Sequence, residues 1–123
     1  MKLSKNKILS NVSVNHKEIS DLSKMFVHHV FFWLKEPENQ AHMQKFKREL
    51  ERLVLVETIR FKHIGIAAGT DREVIDSSYQ FSLLVIFDNK EGHDIYQEHE
   101  KHLKFIAECE DLWDRVLVYD SRN

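Results

Sequence analysis

Phe26-Val27-His28-His29-Val30-Phe31-Phe32-Trp33-Leu34 is a run of aromatic, branched and imidazole side chains without a single turn former. Such residues favour an extended strand, in which successive side chains point to opposite faces. Phe26, His28, Val30 and Phe32 then share one face, and Val27, His29, Phe31 and Trp33 share the other. A strand with one face in water alternates apolar with polar. This one is apolar on both sides, so both faces of its sheet need cover.

Working outward, Pro37 stands where a first helical position is expected. Met43, Phe46, Leu50 and Leu53 recur at helical spacing among charged residues, which predicts an amphipathic helix over roughly 37–54. Ile59, Phe61, His63, Gly65 and Ala67 alternate with their neighbours as a second strand, closed by Gly69-Thr70-Asp71. A polar stretch to Ser78 leads into a third strand over Tyr79–Phe87, and Asp88-Asn89 marks a helix cap. Ile95, His99, His102, Leu103 and Ile106 fall on one face of a second helix, expected to run unbroken from about Glu91 to Cys109. A short link over 110–114 precedes a closing strand at Val116–Tyr119. The order βαββαβ predicts an α+β ferredoxin-like protomer: a four-stranded antiparallel sheet with two helices on one face. Its uncovered apolar face calls for a homodimer in which two sheets meet.

Composition narrows the function. The chain has 123 residues and a formal net charge of −2, so it lacks the basic field that nucleic-acid binding requires. No apolar run approaches the roughly 18 residues of a membrane span, and neither an export signal nor a membrane partner is expected. The single Cys109 cannot form an internal disulfide, which fits a reducing, cytoplasmic setting. It has no neighbouring His or Lys in sequence to activate it and reads as a buried, inert thiol. Residues 1–24 carry a local net charge of +3 without sustained periodicity, and read as a leader or loosely docked arm before a domain over 25–123. Eight histidines are the oddity: protonating all of them moves the formal charge from −2 to +6.

His29-Val30-Phe31-Phe32, Ala68-Gly69-Thr70, Phe87-Asp88, Tyr96-x-x-His99-x-x-His102 and Val118-Tyr119-Asp120 resemble, in order and spacing, the Dabb family of stress-responsive dimeric α/β-barrel domains. The resemblance implies a homodimer whose sheets form the barrel and a cavity between sheet and helices. One plant member cyclises a linear polyketide without metal or cofactor. The resemblance places its acid–base histidine at His102, its tyrosine at Tyr96 and its strand histidine at His29. That cyclase also uses a tyrosine on the first helix, and this chain has none between Met25 and Thr58. Glu100 stands where the cyclase has a proline, so the backbone N–H is restored and the helix is expected to continue.

Three residues of helix advance about 300°, so Tyr96, His99 and His102 would span about 120° of one face and line one wall. Imidazole and phenol are suited to acid–base work near neutral pH. His102, Tyr96 and His29 are thus the catalytic candidates, with His99, Phe31, Trp33 and Phe46 as ligand-binding residues and His28 assigned to the opposite face. The blander alternative is half-buried polar groups tied to backbone or water. His99 and His102, with His29 or His93, lack a carboxylate at metal-motif spacing, so no metal and no cofactor are expected. The expected function is binding of a small apolar or aromatic molecule. The alternatives are a cofactor-independent enzyme of cyclase, isomerase or monooxygenase type, and a purely structural dimerisation module.

Overall fold

The computed structural model describes residues 19–123. Most of the expected arm, including His16, lies outside the described residues. Strand β1 (Phe26–Leu34) is followed by helix α1 (Gln40–Leu53), β2 (Ile59–Gly65), β3 (Phe81–Phe87), α2 (Lys90–Glu98), α3 (Glu100–Cys109), a 3₁₀ turn (Glu110–Leu112) and β4 (Trp113–Ser121). The strands form one antiparallel sheet in the order β2-β3-β1-β4. This is the ferredoxin-like α+β plan, with the second helix in two pieces.

Helix α1 starts at Gln40 rather than at Pro37 because Asn39 is its cap: the Asn39 side chain accepts a hydrogen bond from the backbone N–H of His42 at 3.1 Å. Phe46, Leu50 and Leu53 then face the sheet as the spacing predicts. Strand β3 begins at Phe81, two residues later than expected, where the Gln80 side-chain oxygen takes the Leu34 N–H at 2.8 Å. Strand β4 reaches both ways beyond the expected four residues, since it pairs with β1 from Val27 to Leu34.

The largest departure is at His99. Its backbone is extended (φ −68°, ψ 145°) and separates α2 from α3. No proline is needed for the break: the His99 side chain accepts from the Lys101 backbone N–H at 3.0 Å, capping α3 as an asparagine would. Because Nδ1 accepts, the ring proton sits on Nε2, which lies 3.4 Å from the Glu57 carboxylate.

Phe26, His28, Val30, Phe32 and Leu34 form the β1 face beneath the helices, and all five are buried. With Phe81, Leu83, Val85 and Phe87 of β3, and Phe46, Leu50, Leu53, Tyr96 and Phe105 of the helices, the four apolar ones make one core. Phe46 is its hub, with ring centroids at 4.9 Å from Phe32 and 5.2 Å from Phe81. Cys109 is buried in the same core, its thiol pushed up to about 12 by desolvation and by the nearby Glu49. On the outer face, His29, Phe31 and Trp33 of β1 meet Tyr79 and Tyr119 in an aromatic stripe, with the Arg115 guanidinium 4.3 Å above Trp33.

Candidate functional site

A cavity of about 290 Å³ lies between the sheet and α2–α3. Its floor is His28, Val30, Phe32 and Leu83, its helical wall includes Tyr96, Gln97, His102, Phe105 and Ile106, and Trp113, Val116 and Val118 form the rim along β4. Val116 and Val118 are partly exposed because β4 is an edge strand beyond the reach of the helices. The cavity opens there.

Three polar rings converge on this apolar space. Tyr96 and His102 have centroids 4.9 Å apart, and Tyr96 and His28 5.7 Å apart. The break at His99 starts a new helix, so Tyr96 and His102 reach the cavity from separate segments. His28 lies directly across from Asp120 in the β1–β4 register, and its Nδ1 is 2.6 Å from the Asp120 carboxylate. With the carboxylate as acceptor, the proton sits on Nδ1 and Nε2 keeps its lone pair. His93 joins the group from α2, its ring centroid 5.0 Å from that of His28 and stacked 4.4 Å from Phe26.

Burial holds the His28 imidazole below its usual proton affinity, against the opposing pull of Asp120. Desolvation does the same to His102, helped by the nearness of His28 and His93. Neutral imidazoles result. Burial raises Tyr96 well above the usual phenol range, which keeps it a hydrogen-bond donor. His102 Nδ1 is buried and has no hydrogen-bond partner among the described residues. Together the groups offer a lone pair at His28, a phenol donor and an unused imidazole nitrogen beside an apolar space.

The expected residues divide sharply. Tyr96 and His102 are brought together as expected. His29 is not with them: it lies on the outer face, 4.4 Å from Phe31, and His28 takes the cavity position. The alternation along β1 holds, but its inner side carries His28 and not His29, because both sets of alternate residues are apolar and only the helices' position distinguishes them. Phe31 and Trp33 follow His29 to the outer face and line a shallow hollow of about 130 Å³. Phe46 is fully buried core rather than cavity lining. His99 caps α3 and turns toward Glu57. Sequence reasoning missed Asp120 as a partner because the closing strand was ended at Tyr119; continuing the alternation of Val116 and Val118 by one step reaches it. His93, weighed in the sequence only as a third imidazole beside His99 and His102, instead joins His28, because the fold brings α2 over β1.

The profile of the Dabb stress-responsive A/B barrel domain matches residues 26–123. The chain belongs to this family. No curated protein matches it in sequence. A Dabb protein with a ferredoxin-like fold from Mesorhizobium loti superposes with a TM-score of 0.67 at 19% identity, over 80% of this chain and 96% of that one. A dimeric ferredoxin-like protein of unknown function from Bacteroides fragilis gives 0.64 at 21%, over 82% and 98%. A hydroxynitrile lyase from Passiflora edulis gives 0.68 at 14%, over 80% and 92%. At these identities the likeness is one of fold. Among the described residues no helix of this Dabb chain is long and apolar enough to cross a membrane.

Proposed function

We propose that this Dabb protein is a cytoplasmic homodimer that binds a small, mostly apolar molecule in the cavity between sheet and helices, with residues 1–24 an arm outside the binding domain. The observation that carries the binding reading is the convergence of His28, Tyr96 and His102 on a space of about 290 Å³ whose other walls are apolar. A cavity of about 150 Å³ accepts benzene, so this one suits a single ring carrying a short substituent. The ligand's apolar body would fill the space against Phe32, Leu83 and Phe105, and one oxygen would meet the polar rings. The aromatic outer stripe supports the dimer, as does the dimeric state of the Bacteroides fragilis neighbour.

The test uses p-cresol, a ring with one hydroxyl, titrated into the full chain by calorimetry. Saturable binding at one molecule per chain is expected, and Val118→Trp, which fills the cavity from its exposed rim, should weaken it at least tenfold with the circular dichroism spectrum unchanged. Equal binding by wild type and Val118→Trp, or no binding of p-cresol by wild type, overturns this reading.

A further inference from the structure

We infer that His28, His93 and Asp120 form a binding site for a divalent transition-metal ion at the edge of the cavity. One donor atom from each residue lies within 4.8 Å of the others, and among the described residues this is the only such group of three. Two imidazoles and a carboxylate are a donor set that suits zinc and its neighbours in the first transition row, whereas magnesium and calcium favour all-oxygen sites.

The three donors come from three elements and are each held in place. His28 and Asp120 are register partners on β1 and β4, so the sheet fixes their separation. His93 reaches them from the first turn of α2, stacked on Phe26. Its Nε2 lies 3.2 Å from the Gln97 side chain and its Nδ1 3.1 Å from Asp94. Whichever nitrogen binds the ion, the other keeps a polar partner, the outer support that metal-bound histidines characteristically have. Four-coordinate zinc with bonds near 2.0–2.1 Å separates its donors by about 3.3 Å. An ion in place of the proton between His28 and Asp120 would widen their 2.6 Å contact slightly and draw His93 inward.

A hydrogen-bonded His–Asp pair would account for His28 and Asp120 alone. It leaves unexplained why a third donor from a different element is packed beside them. Three protein ligands leave a zinc ion at least one open position. On the outer face His29 and His63 lie close enough to influence one another, yet they form a two-imidazole pair without a carboxylate in the group.

Metal uptake is measured apart from binding in the cavity. Full-length protein is stripped with EDTA, and zinc sulfate is titrated in by calorimetry, with cobalt(II) absorption as a second readout. Uptake of one ion per chain with micromolar or tighter affinity is expected. His93→Ala and Asp120→Asn should each weaken it about tenfold or more, while His63→Ala, which removes the outer pair, should leave it unchanged. Asp120 lies partly exposed on the edge strand, so Asp120→Asn decides the matter if His93→Ala fails to fold. Absence of one-to-one uptake, undiminished uptake in Asp120→Asn, or loss of uptake in His63→Ala overturns the site. Binding of p-cresol by the EDTA-stripped protein reports on the cavity alone, so the two readings fail separately.

Discussion

The two faces of β1 are nearly equal in apolar content and opposite in fate. Beneath the helices, Phe26, His28, Val30 and Phe32 are buried and His28 is bound to Asp120 beside a cavity. On the outer face, His29, Phe31 and Trp33 sit in an aromatic stripe that the described residues cover only in part. Neighbouring histidines of one strand therefore face different chemistry: one is desolvated beside a carboxylate and a tyrosine, and the other lies against Phe31. What separates them is the side on which the helices pack, a property of connections elsewhere in the chain.

The inner face depends most on Phe46. Truncation of this fully buried ring, packed against Phe32, Phe81, Phe105 and Trp113, should cost about 3–5 kcal/mol in urea denaturation. If the outer stripe is the dimer surface, Phe31→Glu should leave the folded spectrum intact and raise the dimer dissociation constant about a hundredfold, measured by sedimentation. A dimer that survives the charge would return the outer face to solvent. His28→Ala should weaken p-cresol binding about tenfold, the loss of one buried hydrogen-bonding group, whereas His29→Ala should leave it unchanged. An equal effect from both would erase the difference between the faces. The smallest effect belongs to His99→Ala, which removes the α3 cap and should lower stability by about 1 kcal/mol, with His99→Asn restoring most of it.

The element order and the two-sided apolarity of β1 were legible in the sequence because alternation and helical spacing are local properties. The Tyr96 and His102 pairing was legible as a motif. The choice between His28 and His29 was not, since strand parity yields two faces without naming the inner one. The His99 break was hidden because Glu100 is an acceptable helix residue; the interruption comes from an imidazole acting as a cap, a role that falls more often to Ser, Thr, Asp or Asn. Asp120 stands in a recognisable motif and His93 among the candidate imidazoles, but their meeting with His28 depends on β4 and α2 lying beside β1.

In an unbroken helix, inserting or deleting one residue rotates everything downstream by about 100° relative to what lies upstream. At His99 the extended backbone interrupts the helical phase, so that rigid coupling does not run from one segment into the other. Tyr96 on one segment and His102 on the other therefore meet at the cavity without sharing one continuous helix.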